Sequence, residues 1–167
     1  VRMELHANSL AESLSRIYNG KFVPLHAPAR VSSRNIRDEL LKEDSLLPAI
    51  YLTQKLDIAV VGIGYPNEKS AIMATGYFKE NEIESLIDRK VAGELCMQFY
   101  DIYGDTAPYK DDNNVIGMDI SMLRSVPRSI GIAGGVEKLR AVRGAINGHY
   151  INTLITDIEC AEALISE

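Results

Sequence analysis

The stretch Ser129 to Ile146, SIGIAGGVEKLRAVRGAI, limits the fold more than any other part of the chain. Ser129–Ala133 reads as a short buried strand, Gly134 and Gly135 turn the chain, and Val136, Leu139, Val142 and Ile146 recur at helical spacing on one face. Strand, glycine pair and helix make half of a βαβ unit. Such a turn aims several backbone N–H groups and the positive end of a helix dipole at one spot. Lys138 falls in the first turn of that helix, where the dipole disfavours a cation by roughly 0.3–1 kcal/mol. An anion lying between them would reverse the sign. Gly134, Gly135 and Lys138 are therefore candidates for holding a phosphate. Glycines also turn βα loops that bind nothing, and a surface lysine can simply be solvated, so both readings stand at this point.

The chain of 167 residues fits one domain. With 46% hydrophobic and 25% charged residues it has the material for one layered core. A formal net charge of -5 leaves out the basic footprint of a nucleic-acid binder. The two cysteines, Cys96 and Cys160, sit in apolar settings and form no CxxC pair, which is expected of free thiols in a reducing cytosol. No apolar run reaches the ~18 residues of a membrane span. The opening residues, Val-Arg-Met-Glu-Leu-His, do not resemble a signal peptide and run quickly into a helix, as expected of a fragment of something longer.

Along the chain, Asn8 opens a helix with Leu10, Leu14 and Ile17 on one stripe, ending near Asn19-Gly20. Lys21–His26 reads as a strand, at an edge because of Pro24, followed by the loop His26–Arg30. Helices are predicted from Ser33 to Lys42, with Ile36, Leu40 and Leu41 inward, and from Ser45 to Lys55. Asp57–Val61 is a continuous apolar run after one acid, of the kind covered on both faces in a parallel sheet, broken by Gly62-Ile63-Gly64. Residues 70–77 are ambiguous. A helix spans Lys79–Arg89. Ala92–Met97 reads as a strand, continued by Phe99-Tyr100 to a hairpin turn at Tyr103–Asp105. Val115–Met118 is a further strand, and Asp119 caps a short helix. Asn152–Thr156 is the last strand, and Asp157 caps a closing helix with Ile158, Ala161, Leu164 and Ile165 inward. The alternation predicts an α/β fold with a mainly parallel sheet covered by helices and a small antiparallel hairpin. Ligands of such sheets bind beyond the carboxyl ends of the strands, which selects the loops 26–30, 62–66, 92–95 and 134–138.

Within these loops, Gly62-Ile63-Gly64 permits either close approach of a ligand or merely a tight turn. No GxGxxG and no Walker-type GxxxxGK[ST] motif occurs. Glu94, inside AGELCMQF, is costly to bury without a partner. It can take hydrogen bonds from sugar hydroxyls, pair with a cation, or lie at the rim. His6, His26 and His149 have no metal spacing, so neither metal nor cofactor is expected. Ser70 and Ser129 lack a nucleophile-elbow setting. Arg140 and Arg143 are expected on the exposed face of their helix.

The runs LHAPARVSS, DIAVVGIG, AGELCMQFYDIYG, SVPRSIGIAGGVEKLRAVRGAINGHYINTLITD and CAEALI, in this order, resemble the effector-binding domain of SorC/DeoR-type sugar-responsive transcriptional regulators. The resemblance covers about Asn8 to Ile165. It implies a Rossmann-like fold akin to glucosamine-6-phosphate deaminase and ribose-5-phosphate isomerase, and a cytoplasmic protein that binds a phosphorylated sugar and so changes its hold on operator DNA. The family's AGG-x-x-K motif falls on Gly134, Gly135 and Lys138, which would contact phosphate or sugar. Its acid falls on Glu94, which would contact hydroxyls. The loop with Pro28 and Ala29 and the turn Gly62, Ile63, Gly64 would wall the pocket. The family's helix-turn-helix and its first effector-domain strand and phosphate loop have no counterpart in this sequence. Binding by this portion is accordingly expected to be weak, or helped by another copy. The resemblance implies a homo-oligomer, dimer or tetramer, with no membrane partner and no catalytic residue. An isomerase or deaminase on the same fold is the alternative, for which Glu94 alone offers a general base.

Overall fold

The computed structural model describes residues 7–67, 70, 72 and 76–166. In chain order it has helices α1 (Ala7–Ile17), α2 (Arg34–Leu40) and α3 (Leu47–Thr53), strand β1 (Ile58–Gly64), helix α4 (Glu80–Asp88), strands β2 (Gly93–Leu95), β3 (Gln98–Tyr100) and β4 (Arg128–Ile132), helix α5 (Leu139–Asn147), strand β5 (Thr153–Ile155) and helix α6 (Ile158–Ser166). Turns of 3-10 helix lie at Ala107–Tyr109, Ile120–Ser125 and Val136–Lys138. The strand order is β3-β2-β1-β4-β5. β1, β4 and β5 run parallel. The antiparallel pair β2-β3 joins β1 through Ile63–Leu95 and Gly64–Glu94. A parallel core with an antiparallel hairpin is the sheet the sequence predicts.

Side chains alternate along β1, so that Ala59, Val61 and Ile63 enter the main core. Helix α5 covers that face with Ala141, Val142 and Ala145, all fully buried. This corrects the predicted stripe, since Val136 and Ile146 are exposed. Small residues win because the helix lies close to the hairpin: a Cβ on Gly93 would stand 2.6 Å from that of Ala141. The expectation that the Asp57–Val61 run is covered on both faces is also corrected. Among the described residues the other face stays open, with Ile58, Val60, Ile132 and Ile155 exposed by 54%, 59%, 43% and 54%.

The hairpin is tied to α5 by the buried Tyr100, whose O–H donates to the Ala141 carbonyl at 2.9 Å. Tyr100→Phe is expected to lower stability by about 1–2 kcal/mol, the worth of one buried hydrogen bond, measured as an earlier urea midpoint with unchanged slope. A second cluster packs Phe78, Ile83, Leu86, Val91, Phe99 and Tyr109 together. Arg30 stacks on Phe78 at 4.1 Å and donates to Glu82 at 3.0 Å, which anchors the loop 26–30.

Three predicted caps are present. Ser33 Oγ accepts the Ile36 N–H, Asp119 Oδ1 that of Ser121, and Asp157 Oδ1 that of Cys160. Lys21–His26 and Val115–Met118 form no strands. Only an isolated bridge joins Arg30 to Val115, and Pro24 has no N–H to give a ladder. α1, α2 and α3 contain no fully buried residue. The predicted inward faces are thus corrected: Leu10, Leu14 and Ile17 are exposed, as are Ile36 on α2 and Ile158 and Ile165 on α6. Arg140 is exposed as expected, whereas Arg143 is half-buried.

Candidate functional site

A cavity of about 310 Å3 opens beyond the carboxyl ends of β1 and β4. Gly64, Tyr65, Asn67, Ser70 and Ile72 line it from β1 and the segment that follows, Glu94 from β2, and Glu137 and Lys138 from the 3-10 turn ahead of α5. It lies at β1, where the sheet changes from parallel to antiparallel pairing.

Glu94 is held there by the hairpin. The predicted single strand Ala92–Met97 and its turn at Tyr103–Asp105 are corrected, because the two-residue turn is Cys96-Met97, with φ of 52° and 61°. Positive φ at both central residues is the I′ geometry that usually calls for Asn-Gly. Neither turn residue is a glycine, and Glu94 Oε2 holds the turn from the side by accepting the Met97 N–H at 2.9 Å. Burial pushes the Glu94 carboxyl up to about 7, against the opposing pull of the Met97 N–H and of Lys138. The same burial, with Glu94 nearby, pushes the Cys96 thiol up to about 12, so it is no nucleophile at neutral pH.

Gly64 makes room for that carboxyl. A Cβ at this position would overlap Glu94, with the carboxyl carbon 2.8 Å away. Gly62 to Gly64 are therefore not a turn, as predicted, but the last residues of β1. Gly62 has open space above it, and Ile63 is buried in the core at 1% exposure. Of these three only Gly64 lines the cavity.

Lys138 closes the 3-10 turn and stands at the N-cap of α5, its N–H donating to the Gly135 carbonyl at 3.1 Å. It is half-buried, and among the described residues no salt bridge engages it. Gly135 has φ of 94°, which a side chain resists. Its N–H is committed to Asp157 Oδ2. The N–H bonds from Cys160, first, and from Gly135 hold the Asp157 carboxyl below its ordinary range. Gly134 also faces Asp157. The glycine pair thus shapes the corner and docks it on the start of α6. Neither glycine lines the cavity, and Lys138 alone of that motif does. Asp157→Ala removes both bonds and is expected to lower the melting temperature, as loss of an N-cap does, read by thermal unfolding.

Pro28 and Ala29 also stay outside the cavity. The Ala29 carbonyl accepts the Ile116 N–H at 3.0 Å, which turns the loop toward residues 114–116. Tyr65 and Glu137 lie within the selected loops 62–66 and 134–138 without being singled out there, and Asn67, Ser70 and Ile72 line the cavity from outside those loops. Nothing in their local sequence marks them, although their place just after the strand run and before Lys138 is a positional signal. Ser70 Oγ donates to the Asn67 carbonyl at 2.6 Å. His6 and residues 68, 69, 71 and 73–75 fall outside the described residues. Among the described residues no group of His, Cys, Asp and Glu could hold a metal ion, and no helix is long and apolar enough to cross a membrane.

Residues 1–166 match a family model described as "Putative sugar-binding domain". The chain is 31% identical to the sorbitol operon regulator of Klebsiella pneumoniae over 160 residues, 96% of this chain and 51% of that protein. It is 36% identical to the transcriptional regulator LsrR of Escherichia coli (strain K12) over 142 residues, 83% of this chain and 45% of that protein. The crystal structure of the full-length Klebsiella regulator SorC superposes with a TM-score of 0.87 at 30% identity, covering 99% of this chain and 54% of that one. A DeoR family regulator from Listeria monocytogenes gives 0.89 at 25% identity, covering 96% and 65%. The chain spans about half the length of the curated relatives it matches. With an α/β sheet shared across its full described length and these relatives, the chain belongs to the sugar-binding domain family of SorC/DeoR-type transcriptional regulators.

Proposed function

We propose that this domain binds a phosphorylated sugar between Lys138 and Glu94, and that occupancy adjusts the hold of the full-length protein on operator DNA. The observation that carries the reading is the charge layout of one cavity. A lysine with no salt bridge among the described residues stands at a helix N-terminus on one wall, and the half-buried Glu94 carboxyl on the other. A phosphate fits the first wall, where the lysine and the positive end of the α5 dipole both attract negative charge. Hydroxyls fit the second, because an O–H···O⁻ bond replaces the water that Glu94 has lost. Lys138 is the phosphate contact, Glu94 the hydroxyl contact, and Gly64 keeps the space for the carboxyl. Gly134 and Gly135 act by shaping the corner.

The DNA-reading element belongs to another part of the longer protein, which in this reading is a cytoplasmic homo-oligomer. The open sheet face around Val60 and Ile132 is the surface that further chain of the same domain would cover. A sugar-phosphate isomerase or deaminase is disfavoured by the regulator names of the relatives. It would also need a second proton-handling group poised against Glu94. Calorimetric titration with a panel of pentose 5-phosphates and hexose 6-phosphates, each beside its unphosphorylated sugar, tests the reading. Saturable binding of a phosphorylated member alone is expected. Equal affinity for the free sugar, or turnover of ribose 5-phosphate or glucosamine 6-phosphate, would overturn it.

A further inference from the structure

A second cavity, of about 150 Å3, shares no lining residue with the first. Arg34 and Arg37 reach it from α2, and Lys110 from the loop after the Ala107–Tyr109 turn. Its wall is fixed. Gln98 is 6% exposed, donates to the Met118 carbonyl at 2.9 Å and accepts the Ile120 N–H at 3.1 Å. The neighbouring Asn113 accepts the Phe99 N–H at 2.9 Å.

Two of the three cations around this hollow are not neutralised. Among the described residues neither Arg34 nor Lys110 forms a salt bridge, and Arg37 pairs loosely with Asp38, Nε to Oδ1 at 3.8 Å. Arg37 Nε is buried and has no hydrogen-bond partner. The one carboxylate in the lining, Asp119, has an oxygen committed to the N–H and O–H of Ser121, at 2.9 and 2.6 Å. Three cations against one partly engaged carboxylate is an unusual local surplus in a chain of net charge -5. A buried guanidinium N–H without an acceptor calls for one. The guanidinium fork matches a tetrahedral oxyanion, and a lysine adds a point charge.

We propose that this cavity binds a small phosphate-class dianion, either free phosphate or the phosphoryl end of a small ester, independently of the sugar site. The hollow is half the size of the first and lacks a free carboxylate of the Glu94 kind, so it recognises the anionic group and not a polyhydroxylated body.

The test is a titration of the 15N-labelled chain with sodium phosphate, and separately with glycerol 3-phosphate, at constant ionic strength. The readouts are the Arg37 Nε–H and Gln98 side-chain amide resonances. Both are expected to move saturably. Arg34→Gln with Lys110→Gln, at two exposed positions, is expected to weaken the midpoint at least tenfold, while Lys138→Met leaves it unchanged. Equal midpoints for the two probes assign the site to the free anion, and a tighter one for glycerol 3-phosphate to an ester. Absence of saturation, an unchanged midpoint in the double variant, or loss of the effect in Lys138→Met would overturn the proposal.

Discussion

Lys138→Met is expected to weaken binding of a sugar phosphate by roughly 10- to 150-fold, because a hydrogen bond to a charged group is worth about 1.5–3 kcal/mol. The same change is expected to leave the free domain folded with little change in stability, because relief at the α5 dipole offsets the lost attraction to Glu94. Lys138 has no salt-bridge partner among the described residues to lose. Its charge also sits at the positive end of α5, where removal relieves roughly 0.3–1 kcal/mol. Loss of ligand without loss of stability is the signature of a residue placed for a guest and not for the fold. Calorimetry and thermal unfolding on the same preparation read both halves. A variant that unfolds earlier and binds as before would show that Lys138 is structural.

Glu94→Gln is expected to change stability in a direction set by pH. In the folded domain the Glu94 carboxyl titrates at about 7, against 4.5 as its ordinary value. The folded state therefore holds a proton that the unfolded chain has released between those two values. Stability must fall as pH rises through that window, and the cost stays in full above it. Glutamine can keep the bond from the Met97 N–H and carries no charge to bury. At pH 8 the variant is expected to melt higher by roughly 3–8 °C, given about 1–3 kcal/mol and the usual sensitivity for a chain of this size. Near pH 4.5 the two proteins should melt together. Sugar binding should move the opposite way, since glutamine accepts hydroxyl bonds about half as strongly as a carboxylate does. Equal melting temperatures at pH 8 would mean that the carboxyl is solvated.

The parallel core was legible because SIGIAGGVEKL carries strand, turn and helix in one run, and because β1 and β4 are both short apolar strands. The caps at Ser33, Asp119 and Asp157 were legible for the same local reason. What escaped depended on distant contacts. Cys96-Met97 bears no turn signal, and the hairpin shows in the pairing of Leu95 with Gln98 and in the Glu94 carboxyl folding back on Met97. Gly62 and Gly64 look like breakers until Glu94 is seen filling the space above Gly64. The α5 stripe was misplaced because Ala141 and Ala145, not the larger Val136 and Ile146, fit the close approach to the hairpin. For the site, Lys138 and Glu94 were named from sequence and share one cavity. Pro28, Ala29, Gly62, Ile63, Gly134 and Gly135 were named as walls or contacts and do not line it. Charge in an apolar or dipole-opposed setting is a local anomaly that a sequence shows, whereas the path of a loop is not.

The most direct test is a crystal structure of this chain with the tightest-binding sugar phosphate of the panel. The phosphate is expected within about 3 Å of Lys138 Nζ, and a sugar hydroxyl on the Glu94 carboxylate. A phosphate seated elsewhere, with the space between Gly64, Glu94 and Lys138 unfilled, would contradict the assignment.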